Sequence, residues 1–403
     1  MTGVLAHGVG ERSDLPIPLF YAYAGAFAAL VVSFLALGLL WADPRFRGDR
    51  AGRPLPVRPP ATPLRVLTLA ALLYTVAWLL AGPAEGNAAP YLIYVLFWVG
   101  LVPASLLLGP VWRLLNPFRL LPDRPRAPLP PRLGYWPAAA GLLAFTWMEL
   151  VAPEPAAPAT LLAFLVLYGG VQLAGVLRYG HAWLERGDPF EVYSTLIGHL
   201  APVGRRADGR IVLRNPFDGL DAIAPAPGLV ATVCVLLGGT GYDGLSTVPA
   251  WIRVLQSGPG TALGTLGLLA AIVLVALLYS ACLALAGLIG RTRGLRPRFA
   301  HSLVPVAAGY LVAHYFSLLA VEGQRAVILA LGLEVRVNAE AVSPGVIATV
   351  QVAAIVAGHV AGVVAAHDRS VRLLPPARAV AGQLPLFALM LCYTIGGISL
   401  LLA

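Results

Sequence analysis

The chain has 403 residues, 58% of them hydrophobic and 12% charged, with a formal net charge of +9. Soluble chains carry about 25% charged residues, so this composition and a mean hydropathy of +0.79 exclude an ordinary soluble enzyme. They read as an all-α integral membrane protein. The 28 basic residues are all arginine and do not cluster on one soluble face, so no nucleic-acid partner is expected.

In chain order, MTGVLAHGVGERSDLP lacks a basic start, a short apolar stretch and a cleavage site, and is not a signal peptide. It is expected to be an extracytoplasmic tail, residues 1–16, ahead of a single polytopic domain, 17–403. Apolar windows place ten spans near 17–41, 64–82, 90–112, 135–152, 159–183, 227–242, 261–290, 299–321, 344–367 and 383–402. The sixth is short and glycine-rich, and the seventh is long enough to tilt. No internal repeat stands out.

The arginines between these spans alternate, with 22 in one set of loops and 4 in the other. Arginine-rich loops stay cytoplasmic, which predicts a bundle of ten helices with both termini outside, in the plasma membrane. The outer side then carries nine acids, a charge that suits a soluble surface or the attraction of a cation.

The long cytoplasmic loop, 184–226, contains DPFEVYSTLIGHLAPV. Asp188 fits an N-cap, Pro189 the first helical position and Glu191 the reciprocal capping position. Phe190, Tyr193, Ile197 and Leu200 share one face, with Glu191, Thr195 and His199 opposite. This predicts an interfacial amphipathic helix on the inner leaflet. GRIVLRNPF, from Gly209, reads as a short hairpin strand. Asn116-Pro117-Phe118 and Asn215-Pro216-Phe217 read as turn chemistry. Cys234, Cys282 and Cys392 lie within apolar runs and read as packing residues.

Polar groups inside spans are costly and are functional candidates. An inner set comprises His181, His301 and His367, with Asp368 following and His199 nearby. Three imidazoles and a carboxylate suit zinc or iron, but helix ends and headgroups also use such residues. An outer set comprises Glu149 in FTWMEL, Asp243 in GGTGYDGLSTVPAW and His314. Tyr310, His314 and Ser317 share one helix face. Carboxylates with a histidine bind a divalent metal or activate water, with Tyr310 as an oxyanion donor; interfacial anchoring is the plainer role for the two acids. His7 and Asp14 on the tail are placed to fold over this site. His359 lies beside Ala354, Gly358, Gly362 and Ala366, a small-residue stripe for close helix contact, and reads as an interhelical hydrogen-bonding group. His301 and His314 are about 140° apart on their helix, so a two-haem arrangement needs partners on two separate faces.

The segments AHGVGERSDLPIP, FTWMEL, GYDGLSTVPAW, FAHSLVPVAAGYLVAHYFSLL and SPGVIATVQVAAIVAGHVAGVVAAHDRS together resemble an actinobacterial group of multispanning proteins termed fenitrothion hydrolases. The resemblance runs from residue 6 to the end. It implies a shared fold and hydrolysis of an organophosphorus ester, chemistry in which a metal polarises the phosphoryl oxygen and supplies hydroxide. It assigns no catalytic residues.

The leading expectation is therefore a membrane-embedded, metal-assisted phosphoester hydrolase acting on an unknown small molecule. Asp243, Glu149 and His314 should then converge in one cavity. The alternatives are a transporter or channel for a metal ion or small solute, with His314, His359 and the inner histidines as a relay, and a haem- or copper-containing redox protein.

Overall fold

The computed structural model describes residues 19–401 apart from 51, 58, 84 and 206–208. The tail with His7 and Asp14 lies outside the described residues. The rest is mostly helical, with three short strands, because a backbone crossing lipid must satisfy its own hydrogen bonds. Among the described residues, nine helices are long and apolar enough to cross a membrane. They are Ala22–Leu40, Ala61–Ala81, Tyr91–Leu108, Pro158–Tyr179, Leu229–Ser246, Gly260–Gly290, Leu295–Leu331, Pro344–Leu373 and Ala381–Leu400. Each overlaps an expected span.

The remaining expected span, 135–152, is a helix of 15 residues, Trp136–Leu150. At roughly 1.5 Å per residue it is about 22 Å long, short of a hydrocarbon core of about 30 Å. Proline sets both ends: Pro137 occupies its first turn, and Pro153, Pro155 and Pro158 follow it.

The chain divides into two compact units, each discontinuous in sequence. The first holds the described residues of 52–214 and 317–342, the second those of 19–50, 215–316 and 343–401.

In the first unit, Arg53–Pro54, Ile211–Leu213 and Val203–Arg205 form an antiparallel sheet with Ile211–Leu213 in the centre. The expected hairpin strand is thus present. Tyr91–Val99 is a π-helix, closed by a bond from Gly100 N to the Val95 carbonyl at 3.0 Å. Asn116 caps the turn Pro117–Leu120 by accepting from Phe118 N at 3.0 Å, the turn role expected of it.

The helix expected on the inner leaflet is Pro189–Gly198. Its cap is as read: Asp188 accepts from Phe190 N at 2.9 Å and from Glu191 N at 3.4 Å. Two other expectations are corrected. Nine of its ten residues are buried, so the helix is packed inside its unit and does not lie on a leaflet. Glu191 does not reach back to the cap either. Its carboxylate takes the Arg119 guanidinium on both oxygens, with Arg119 Nε at 3.0 Å, and Asn116 Nδ2 at 2.9 Å. A polar helix face can enter a protein interior when such partners match it. The apolar face docks Phe190 against Phe97, Trp98, Phe145 and Tyr168.

In the second unit, Pro344–Leu373 packs on the helix that begins at Val304 through the expected small-residue stripe. A Cβ added at Gly358 would stand 2.6 Å from the Pro305 carbonyl oxygen, and one at Gly362 would stand 2.8 Å from that of Ser302. Asn215 caps the helix Pro216–Asp221 by accepting from Phe217 N at 2.9 Å. Three carboxylates hold the segment after the first helix. Asp368 accepts from Arg45 N at 2.5 Å, Asp218 from Arg47 N at 2.8 Å and Asp221 from Gly48 N at 2.8 Å.

Candidate functional site

Asp243 sits near the C-terminal end of Leu229–Ser246, a helix with 13 of its 18 residues buried. Small residues let that helix approach its neighbour: a Cβ at Gly238 would stand 2.6 Å from Ile272 Cα. Asp243 is 2% exposed. Two successive residues of the helix Val304–Leu331 serve its carboxylate. His314 Nε2 lies 2.7 Å from Oδ2, and the Tyr315 hydroxyl donates to the same oxygen at 2.9 Å. Side chains one residue apart leave a helix about 100° from each other, so the two donors close on the carboxylate from different directions. A carboxylate taken out of water must recover its lost hydration from such donors.

The imidazole is less enclosed than the acid, at 21% side-chain exposure against 3%. It borders a small cavity lined by Thr240, Gly241, Gly244, Tyr310, His314, Gly397 and Leu400. The space open to the centre of a water is about 20 Å³, enough for about one water. Tyr310 and His314 both line it, as their shared face predicts. The Tyr310 hydroxyl donates to the Tyr393 carbonyl, so its single proton is engaged there and its oxygen serves as an acceptor. Gly397 is required beneath it, because an added Cβ would overlap the Tyr310 ring and hydroxyl.

Asp243 and His314 are thus brought together. Glu149 is in the other unit, on Trp136–Leu150 and 8% exposed, and it is not among the residues lining the cavity. Among the described residues, no three His, Cys, Asp or Glu form a group able to hold a metal ion. A catalytic zinc takes three protein ligands; Asp243 and His314 supply two.

The inner histidines have separate partners. In the first unit, His181 gives Nε2–H to the Leu121 carbonyl at 2.9 Å. In the second, His301 bonds through Nδ1 to the Arg298 carbonyl at 3.1 Å. His367 bonds through Nε2 to the Trp41 carbonyl at 3.0 Å and accepts at Nδ1 from Gln383 Nε2 at 3.0 Å. A carbonyl only accepts, so each of these contacts consumes a ring N–H. His359 is fully buried and gives Nδ1–H to the carbonyl of Ile355, at 2.9 Å on its own helix, rather than to a neighbouring helix as expected. Its Nε2 has no partner among the described residues, and its ring meets Tyr310 edge-on at 5.4 Å.

Sequence reasoning missed Tyr315, Thr240, Gly397 and Tyr393. Tyr315 was visible only as the neighbour of His314, on a different helix face. Gly397 carried a weak signal in the pair Gly396-Gly397 within an apolar run. No protein-family profile, curated protein or solved structure matches the chain.

Proposed function

We propose that the protein is a proton-handling membrane transport protein in which Asp243 and His314 share the transported or coupling proton. One observation carries this reading: a buried carboxylate on a membrane-spanning helix is held by an imidazole at 2.7 Å, and that imidazole borders a space for about one water. Ionisable pairs at membrane depth mark ion paths and proton relays. A proton arriving by the cavity water lands on the accessible imidazole. The imidazolium is then held by Asp243, and Tyr315 keeps the carboxylate oriented. The arginine alternation supports a ten-span plasma-membrane topology with both termini outside, which puts this pair in the outer half and the acid-rich face at its entrance.

The test uses purified full-length protein in proteoliposomes under an imposed potassium diffusion potential, with proton entry read by an internal pH dye. Wild-type vesicles should acidify faster than empty ones, and Asp243→Asn should remove the excess. Equal rates in wild-type, Asp243→Asn and empty vesicles would overturn the proposal.

The hydrolase reading keeps one supporting observation. An imidazole oriented by a carboxylate beside a water-sized space has the arrangement of a general base. An aryl phosphotriester far exceeds that space, so this reading requires the cavity to open. Hydrolysis of such an ester by wild type and its loss in His314→Gln would favour it; equal rates in the two would remove it.

A further inference from the structure

The link that follows the Asp243 helix is itself helical. Pro249–Gln256 lies between Leu229–Ser246 and Gly260–Gly290, both long and apolar enough to cross a membrane. Thr247 and Val248 join it to the first, and Ser257, Gly258 and Pro259 join it to the second. Three extended residues reach at most about 11 Å, so both ends of the short helix stay at the bilayer boundary. The headgroup layer beside the hydrocarbon is about 5–8 Å thick. A helix of eight residues is about 12 Å long. Tied at both ends, it lies along that layer rather than standing out of it.

Its faces differ. Trp251 and Leu255, one turn apart on one face, are half-buried. The Trp251 ring meets Tyr242 edge-on at 6.1 Å. It also fills the notch left by Gly267, where an added Cβ would stand 2.4 Å from it. Gly267 lies about 10 Å along Gly260–Gly290, so the short helix rests against the flank of that helix and not above its end. Ile252 and Val254 border the packed stripe, one on each side, and are 38% and 42% exposed. Arg253 points about 160° away from Trp251 and Leu255 and is the one charged residue of 247–259. None of the eight residues is buried, the reverse of Pro189–Gly198. Apolar side chains open on both flanks, a tryptophan below and an arginine at the back are the distribution of a helix that lies in a lipid surface.

We propose that Pro249–Gln256 is an interfacial helix whose partner is the phospholipid leaflet. Ile252 and Val254 sit where acyl chains meet headgroups, and Arg253 faces the phosphates and water. The arginine alternation makes that leaflet the outer one. Through Trp251 and Tyr242, the residue before Asp243, the helix ties the end of Leu229–Ser246 to the membrane surface. This role is independent of the proton chemistry assigned to Asp243.

The test is spin labelling of the full-length protein in phospholipid nanodiscs. Cys234, Cys282 and Cys392 are replaced by alanine, and a nitroxide is attached at Ile252→Cys, Arg253→Cys or Val254→Cys. Power saturation compares access to oxygen, which concentrates in lipid, with access to a water-soluble nickel chelate. Labels at 252 and 254 should favour oxygen, and the label at 253 should favour the chelate. A preference for the chelate at 252 or 254 overturns the proposal. Shielding of either from both reagents also overturns it, because a protein partner or a second copy then covers the face. If the cysteine-free chain does not fold, a benzophenone amino acid at 252 in the otherwise unaltered chain replaces the labels. Photolysis should add the mass of a phospholipid; crosslinks to protein alone overturn the proposal.

Discussion

Asp188 is the group whose titration should be easiest to see. It is fully buried at the start of Pro189–Gly198. Burial, with the Glu191 charge adding to it, pushes its carboxyl from 3.8 up to about 7 against the pull of the Phe190 and Glu191 N–H groups and the Tyr168 hydroxyl. A folded value above the unfolded one means that the folded protein holds the proton more tightly. The stability from this group is therefore complete below about pH 4 and is lost as pH rises to about 7. The interval from 3.8 to about 7 corresponds to roughly 4 kcal/mol as an upper figure. Asp188→Asn cannot ionise and retains a capping oxygen. Its new amide meets the Asn116 amide, which donates to Asp188 Oδ2 at 2.7 Å, and this mismatch costs about 1–3 kcal/mol at every pH. The informative quantity is thus the slope. Melting midpoints of detergent-solubilised protein, taken from about pH 4.5 to about pH 8, should fall with pH more steeply in wild type than in Asp188→Asn. Parallel curves would refute the reasoning.

Arg119→Met should cost about 3–5 kcal/mol in the same melting assay, because it strands the Glu191 carboxylate, 1% exposed; adding Glu191→Gln should return part of the loss, and no return would show that the charge is not the cause. Asp221 has the opposite sign to Asp188: burial raises its carboxyl, but the Arg372 bond, Gly48 N–H and the charges of Arg369 and Arg372 together hold it below 3.8. Its contribution is present above about pH 4 and lost as pH falls, so Asp221→Asn should destabilise at neutral pH, with a deficit against wild type that shrinks in acid. Gly358→Ala places a Cβ 2.6 Å from the Pro305 carbonyl oxygen and should cost about 1–3 kcal/mol through helix separation, whereas Gly169→Ala, whose added Cβ meets nothing within 4 Å, should leave the midpoint unchanged.

Local chemistry was legible in the sequence wherever it acts over a few residues. Asp188, Asn116 and Asn215 cap where their Asx-Pro pairs placed them, and the stripe through Gly358 and Gly362 makes the close helix contact that its spacing implied. The failures lie where the partner is distant in the chain. The face of Glu191 was read as wet because its matching cation, Arg119, is 72 positions away. The helix Trp136–Leu150 is shorter than its apolar window, because hydropathy windows ignore where proline stops a helix. Asp243 and His314 were each suspect for depth alone; their pairing, 71 residues apart in the chain, has no local signature. Tyr315 was hidden by helical periodicity, which puts it on a face other than that of His314 without revealing that one carboxylate can meet both.

What separates His314 from the other membrane histidines is the basicity of its partner. His301, His359 and His367 each give a ring N–H to a backbone carbonyl. A carbonyl oxygen accepts a hydrogen bond but does not take the proton, so these contacts fix a tautomer and a ring orientation and exchange nothing. His314 gives its N–H to a carboxylate at 2.7 Å, and a carboxylate can hold a proton outright. The Asp243–His314 pair therefore has two protonation levels that conserve its hydrogen bond, with the imidazole neutral or charged. A water in the adjoining cavity can pass between these levels without opening the helix packing. Burial alone would rank His359 and His367 first, since both are fully buried. The ability of a pair to gain and lose charge while keeping its geometry ranks His314 above both.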